Sequence, residues 1–283
     1  MDSKLDQFVS RIGDLPSVPA VAATVITLVE DPNASGEDLR AVIERDPALA
    51  ARILKVANSS LFGFSRRIET LRHAISLLGF RTVKNLVLGA SMKETFKRFG
   101  LTERLLWEHA TQAAAVAARL TDHPAIDVER EEAFTAGLLH DLGKIALDNA
   151  APDDYSRAVA RAYNDGVSFV DAEREIFGFD HTQLGALVAE KWKLPPRLET
   201  VIRLHHTPEA LDGLCVEDRR LTALASVATA LCTRLGVGRR APVESFDPRT
   251  LPAWSVLGLG DEDFDGVLEM ASSVVKDSEG LFG

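Results

Sequence analysis

Apolar residues recur at helical spacing along nearly the whole chain. In the segment PALAARILKVANSS, the residues Leu49, Ile53, Val56 and Ala57 form one apolar stripe, as expected for a helix that packs one face on a core. No segment shows the alternation of apolar and polar residues that is typical of a half-buried strand. The pattern therefore predicts an all-α fold.

Capping residues indicate where several of these helices begin and end. Ser35 and Asp180 each open a sequence with capping-box spacing, and Asp46 stands before a proline that suits the first helical turn. Gly79 is expected to end the helix LRHAISLL in a left-handed conformation. Asp261 is expected to cap the last helix.

The helices become longer after residue 98. Residues 1–98 predict a lobe of short helices, and residues 99–240 predict a second lobe of longer helices that holds most of the histidines. Residues 241–283 predict a helical extension that follows a proline-bearing loop. The chain shows no fixed-period repeat and no low-complexity tract.

The composition narrows the possible functions. The chain has 283 residues, is 46% hydrophobic and carries a formal charge of -10, so its electrostatic field repels nucleic acid. The segment AISLLGFRTVKNLVL has the spacing of a helix-turn-helix, but its second helix offers only Arg81, Lys84 and Asn85 for base contacts. We therefore expect no DNA binding.

Targeting features are also lacking. The N-terminus has no signal-peptide pattern, and no apolar run approaches the roughly 18 residues of a membrane span. Cys215 and Cys232 are the only cysteines, which suits a reducing compartment. The sequence predicts a cytoplasmic protein without a membrane partner.

The histidines are placed unusually. Five of the seven lie on, or at the end of, predicted buried faces of four helices, whereas His73 and His123 do not. A single inward histidine is most often a core residue with a satisfied hydrogen bond, but five of them near Asp141 favour a shared metal. Histidine with carboxylate favours iron, manganese, nickel or zinc. The five are His109, His140, His181, His205 and His206.

The segment GLLHDLGK, residues 137–144, resembles the signature of the HD superfamily, whose members hold metal for phosphoester hydrolysis. More closely, the chain resembles the HDOD family of bacterial signalling proteins over roughly residues 15–237. Three stretches are similar to the N-terminal half of that family: LPSVPAVAATVITLVEDPNAS, IERDPALAARILKVANSSLFG and AISLLGFRTVKNLVL. The stretch GFDHTQLGALVAEKWKLPPRLETVIRLHH resembles its C-terminal half.

The resemblance implies a set of metal ligands. It consists of the first histidine of the superfamily, the His-Asp pair, and three histidines that match extra ones of the HD-GYP phosphodiesterases: His109, His140, Asp141, His181, His205 and His206. Lys144 matches a lysine that addresses phosphate in active relatives, and it would be catalytic only if this protein is active. The competing interpretation is structural, with an internal hydrogen bond between His140 and Asp141, Lys144 reaching solvent and Gly143 ending the helix.

Two departures from the enzymes weigh against activity. Thr229 stands where they carry a final aspartate ligand, and Thr207-Pro208-Glu209 replaces the GYP segment. The HDOD family is usually described as having lost catalysis. We therefore expect a binding or regulatory module whose metal site is degenerate and either holds a metal or is empty. Its expected partner is a signalling protein or a nucleotide-type small molecule. The alternative is a metal-dependent phosphohydrolase that acts on nucleotides or cyclic dinucleotides.

A second candidate site lies in the first lobe. Phe62, Phe64, Arg66 and Arg67 fall in a predicted linker between two helices. The aromatic residues either plug the core or form an exposed hot spot beside two anion-binding arginines. The sequence leaves both alternatives open.

Overall fold

The structure is a computed structural model, and it describes residues 3–13, 15–31, 33–59, 62, 64, 66–239 and 241–278. Helices make up the regular structure of these residues, and no β-strand occurs among them. The predicted all-α fold is confirmed. No helix in these ranges is both long enough and apolar enough to cross a bilayer.

The first part of the chain forms short helices. The Ser35 side chain accepts the Asp38 N–H in a capping box, Asp46 caps the next helix ahead of its proline, and Gly79 has a φ of 84°. These three boundaries are as predicted, but Gly79 has a ψ of 162° and is therefore extended rather than left-handed helical. The helices are α1 (Lys4–Ile12), α2 (Ala20–Glu30), α3 (Gly36–Ile43), α4 (Pro47–Ala57), α5 (Leu71–Leu78) and α6 (Phe80–Ser91).

The second part contains the long helices. Asp180 caps its helix in a capping box with Gln183, as predicted. The helices are α7 (Leu101–Leu120), α8 (Arg130–Leu139), α9 (Leu142–Ala150), α10 (Pro152–Asn164), α11 (Phe169–Phe177), α12 (His181–Lys191), α13 (Pro196–Leu204), α14 (Val216–Leu235), α15 (Pro252–Val256) and α16 (Phe264–Asp277).

The predicted cap of the last helix is wrong by two residues, because Asp263 rather than Asp261 precedes the helix. Asp261 begins a short 3₁₀ turn, and α16 begins at Phe264. The reason is that the Asp263 carboxylate reaches back to the Gly260 N–H at 2.7 Å. The bend that this bond stabilises delays the helix.

The hydrophobic core runs through both predicted lobes. One cluster of buried side chains includes Leu39 and Ile53 from the first part together with Leu138 and Leu139 from α8. A second cluster lies between α7, α14, α15 and α16. One hydrophobic core thus extends across residue 98. The division of the chain into two lobes at that residue stays a prediction.

The beginning of the chain packs on the second half. The Phe8 ring of α1 lies 5.8 Å from that of Phe177 and 5.1 Å from that of Phe179. Trp192 donates its indole N–H to the Pro16 carbonyl at 2.8 Å. These contacts join α1 and the segment after it to the end of α11 and to the residue that follows α12.

Close packing of α9 against α12 depends on a glycine. A Cβ at Gly143 would lie 1.8 Å from the carbonyl oxygen of His181. The interpretation in which Gly143 ends a helix is wrong. Helix α8 ends at Leu139, and Gly143 belongs to the first turn of α9. Its missing side chain lets the start of α9 touch the start of α12.

Candidate metal centre

The structure brings the predicted ligands to one place. They come from the middle of α7, from the link between α8 and α9, from the first residue of α12, and from the two residues after α13. Helix packing of α7 on α8 and of α12 on both α9 and α13 holds these elements together. The ligands gathered there are His109, His140, Asp141, His181, His205 and His206.

Asp141 lies at the centre of the cluster. Its Oδ2 atom is 3.2 Å from His140 Nε2 and 3.7 Å from His109 Nε2. Its Oδ1 atom is 3.3 Å from His181 Nε2 and 3.6 Å from His205 Nε2. The two oxygens of one carboxylate thus face two separate groups of imidazoles.

Backbone carbonyls set the orientation of three of the rings. Nδ1 of His140 lies 2.6 Å from the Gly137 carbonyl, and Nδ1 of His205 lies 3.1 Å from that of Val201. Nδ1 of His109 lies 3.3 Å from a carbonyl that follows α14. Because a carbonyl can only accept, each Nδ1 carries the hydrogen, and each Nε2 presents a lone pair in the neutral ring.

A buried glutamate orients the fourth ring. Glu173 Oε2 accepts the His181 Nδ1–H at 2.6 Å and the His181 backbone N–H at 2.8 Å, and both side chains are fully buried. Glu173 is not among the site residues predicted from the sequence. The available signal was its spacing, since Glu173 lies four residues from both Phe169 and Phe177 on one face of α11.

The atoms that point into the cluster have no hydrogen-bond partner. Within the part of the chain that the structure describes, this holds for Nε2 of four histidines and for Oδ1 of Asp141, all of them buried. An unpaired buried polar atom costs about 1–3 kcal/mol, so one shared ligand for all five would remove a considerable penalty. Imidazole nitrogens with a carboxylate form a suitable donor set for a transition metal. The residues present therefore fit a metal ion.

Lys144 is buried beside the cluster. Its Nζ atom lies 2.7 Å from Asp141 Oδ2 and 4.4 Å from the centre of the Phe169 ring. The interpretation in which Lys144 reaches solvent is wrong, because its side chain is only 6% exposed. The first turn of α9 directs it inward instead, onto the carboxylate.

Burial and neighbouring charges set the protonation of these groups. Burial would raise the pKa of Asp141, but His140 and Lys144 hold it well below its usual range. Burial lowers the pKa of His109 to about 3 and that of His205 to about 4. Asp141 is therefore an anion and these two imidazoles are neutral at pH 7, which are the forms that bind metal.

His181 differs from its neighbours. Burial favours its neutral form, but the carboxylates of Glu173 and Asp141 outweigh that effect and raise its pKa to about 9. The ring is thus held between two acids as a cation. A metal that used His181 Nε2 would have to replace one proton.

No second acid completes the cluster. Asp141 is the one carboxylate in either ligand group, within the part of the chain that the structure covers. Thr229 of α14 lines the cavity that holds His206 and Asp141, and its buried hydroxyl has no partner among the residues described. His206 itself is exposed at the side of that cavity.

The second candidate site lies away from the histidines in the chain, between α4 and α5. Phe62 is partly buried against the core, and its ring is stacked 6.5 Å from that of Phe64, which is 38% exposed. Arg66 and Arg67 are exposed. One aromatic residue thus plugs the core and the other faces solvent, and a partner at this place stays a prediction.

The comparison with known families agrees with this geometry. The HDOD domain model matches residues 15–208, more than half of the chain. The chain belongs to the HDOD family. The predicted resemblance is confirmed.

Curated relatives of this HDOD protein are uncharacterized. A protein of Treponema pallidum is 26% identical over 205 residues, which cover 69% of this chain and 38% of the relative. YuxH of Bacillus subtilis is 41% identical over 56 residues, 20% of this chain and 14% of YuxH. The chain thus spans well under half of the length of these relatives.

Solved structures show the same fold. An HDOD domain protein of unknown function from Geobacter sulfurreducens has a TM-score of 0.76 at 24% identity, with 98% of this chain and 97% of that chain covered. A proposed phosphohydrolase from Shewanella amazonensis has a TM-score of 0.72 at 22% identity, with 98% of each chain covered. A proposed signal transduction protein from Marinobacter aquaeolei has a TM-score of 0.70 at 24% identity, with 100% and 62% covered.

Proposed function

We propose that this HDOD protein is a cytoplasmic signalling module that holds a transition metal at Asp141 and has little or no catalytic turnover. The observation that carries the proposal is the convergence of four partnerless Nε2 atoms on the two oxygens of Asp141. The metal is iron, manganese, nickel or zinc, because the donors are imidazole and carboxylate. Its ligands come from His109, His140, Asp141, His181, His205 and His206.

The charge of the cluster favours one metal over two. One carboxylate is shared between both ligand groups, and Lys144 already lies against it. Two divalent cations would meet a single negative charge, and the neutral Thr229 adds none. A bound metal would act as a Lewis acid towards an oxygen ligand. A site with one shared carboxylate therefore suits a single metal better than the two-metal centre that clamps both oxygens of a phosphoester displacement.

We infer a signalling protein or a nucleotide-type small molecule as the partner, because a solved relative is a proposed signal transduction protein. The exposed Phe64, Arg66 and Arg67 are the candidate contact for a protein. The cavity beside Asp141 is the candidate place for a small molecule.

Hydrolysis is the second candidate function. Two observations favour it. Asp141 belongs to both ligand groups, and Lys144 lines the cavity beside Asp141, where it could bind the phosphate of a substrate. In that case the protein is a metal-dependent phosphohydrolase that acts on a nucleotide or a cyclic dinucleotide. Lys144 would contact the phosphate of the substrate.

One experiment separates the two functions. Purified protein is analysed for trace metals and is then incubated with each candidate metal and a panel of nucleotides and cyclic dinucleotides. The proposal predicts a bound metal without turnover above that of His140→Ala. Turnover that His140→Ala abolishes establishes the enzyme, whereas the absence of metal from both wild type and reloaded protein overturns the metal site.

A further inference from the structure

A cavity of about 480 Å³ opens directly beside the histidine cluster. Its lining includes Asp141, Lys144 and Thr229 from the cluster, the segment that joins α10 to α11, and the segments that follow α14. Cavities that hold small organic ligands have volumes of about 300–1,000 Å³. The cavity is therefore large enough for one small ligand that touches the cluster.

The cavity wall carries a cation without an anionic partner. The half-buried guanidinium of Arg239 lies 5.7 Å from the centre of the Tyr163 ring and 5.8 Å from that of the Phe169 ring. No described carboxylate forms an ion pair with Arg239, whereas Arg174 on the same wall is paired with Asp180 at 2.7 Å. A planar guanidinium is well suited to bind a phosphate through two hydrogen bonds.

The lining also offers an aromatic ring that is not paired. Phe246 lines the cavity and is partly buried, and its ring meets no other aromatic ring among the described side chains. The rings of Tyr163 and Phe169, in contrast, meet edge to face at 5.5 Å. The face of Phe246 is thus available to stack on a planar group of a ligand.

The partnerless hydroxyl of Thr229 gives an independent sign of a ligand. It is buried in the lining where the cavity meets the cluster, and it has no hydrogen-bond partner within the described residues. Buried hydroxyls are nearly always satisfied by protein, water or ligand. A polar group of a ligand at this point would satisfy it.

The volume limits the size of the ligand. The cavity lies in the lower half of the range for small-ligand cavities, about 300–1,000 Å³, and it offers one free guanidinium and one unpaired ring. A nucleoside monophosphate carries one phosphate and one base. A cyclic dinucleotide carries two phosphates and two bases, which is more than one free guanidinium and one unpaired ring can bind.

We propose that this cavity binds an organic phosphate with a single planar ring system, with Arg239 as the contact for the phosphate and Phe246 as the stacking partner. The inference deepens the proposed function, and it rests on that function for the role of the adjoining cluster. The contact with Arg239 does not itself require a metal. A nucleoside monophosphate is the simplest probe of this chemistry.

The test is calorimetric titration of the full chain with adenosine monophosphate, guanosine monophosphate and cyclic di-GMP, in metal-loaded and in chelator-treated protein. Arg239→Gln is expected to weaken binding about tenfold or more, since one charge-assisted contact is lost. Arg239→Lys should bind with an affinity between those of wild type and Arg239→Gln, because lysine keeps the charge but lacks the planar guanidinium. Arg220→Gln, which removes an exposed partner of Asp127 away from the cavity, is the control and should bind like wild type.

Each outcome decides one of the two proposals. Equal affinity of wild type and Arg239→Gln, tighter binding of cyclic di-GMP, or no binding of either monophosphate overturns the inference. Monophosphate binding that depends on Arg239 in a protein that takes up no metal supports the inference and contradicts the proposed function. Thermal unfolding of each variant shows whether a loss of binding reflects a loss of fold.

Discussion

The carboxylate of Glu173 accepts the Nδ1–H of His181 at 2.6 Å and thereby turns the opposite nitrogen of that ring towards Asp141. A metal-binding histidine is commonly oriented by such a carboxylate on its outer nitrogen. Glu173 touches no other ring of the cluster in the hydrogen bonds described. It is a positioning residue, and its effect reaches the site through His181.

Replacing Glu173 with glutamine should weaken metal binding. The amide keeps the size of the side chain but removes the charge that makes the imidazole a strong donor, so we expect a loss in metal affinity of about 10–100-fold. Competition with a chelating dye measures it. Glu175→Gln, on the same helix but paired with Arg161 at the surface, is the control, and equal losses in both variants would contradict the role of Glu173.

Replacing Asp141 with asparagine should destabilise the metal-free protein. The change leaves the buried cation of Lys144 without its partner, and breaking a buried ion pair costs about 3–5 kcal/mol in the free energy of unfolding. Urea denaturation of chelator-treated protein measures this change. The double variant Asp141→Asn/Lys144→Met should regain most of the loss, and a double variant no more stable than the single one would refute the pairing.

Replacing Gly143 with alanine should disturb the fold at the site. The new methyl group would meet the His181 carbonyl at 1.8 Å, so we expect a loss of about 3 kcal/mol or more in stability and a weaker metal site. Gly266→Ala is the matched control, since Gly266 lies in α16 with open space around it, and it should stabilise by about 0.5–1 kcal/mol. Wild-type stability in Gly143→Ala would show that α9 and α12 do not touch as described.

Much of the site follows from the sequence, because helical periodicity and motif spacing act locally. The inward placement of His109, His140 and His181 came from apolar stripes, and the HDOD resemblance related those stripes to one another. The roles of Glu173 and Gly143 depend on how two helices meet. Nothing local in the sequence distinguishes a buried glutamate in VDAEREIF from a surface one except its spacing from two phenylalanines.

The cavity could not be predicted for a similar reason. Arg239 and Phe246 lie in irregular segments after α14, where no periodicity indicates direction. The sequence predicts that Lys144 reaches solvent or phosphate, whereas its contact with Asp141 depends on the turn between α8 and α9. Loop conformation and helix-to-helix distance are the parts of the fold that sequence pattern constrains least.

The pH dependence of stability should reveal a buried pair of acids, Asp148 and Glu103. Burial, together with the neighbouring Glu103, raises the pKa of Asp148 to about 6, although Arg98 at 3.0 Å opposes the shift. The folded protein therefore holds this proton more tightly than the unfolded chain, and the associated stability is lost as pH rises from about 4 through 6.

The expected size of this loss is on the order of 2 kcal/mol between these two pH values. Denaturation of wild type and of Asp148→Asn at a series of pH values measures the difference, which should favour the variant increasingly as pH rises. Glu103→Gln removes the neighbouring charge, so the free energy of unfolding of this variant should change less with pH than that of wild type. A difference that is constant from pH 4 to pH 7 would contradict the shifted pKa.

The most direct measurement is an anomalous difference map from crystals of the metal-treated protein, recorded at the absorption edge of the metal. We expect one peak between Asp141 and the Nε2 atoms of the histidines, and no such peak in crystals of His181→Ala. A map without a peak at Asp141, or with the metal bound elsewhere on the chain, would contradict it.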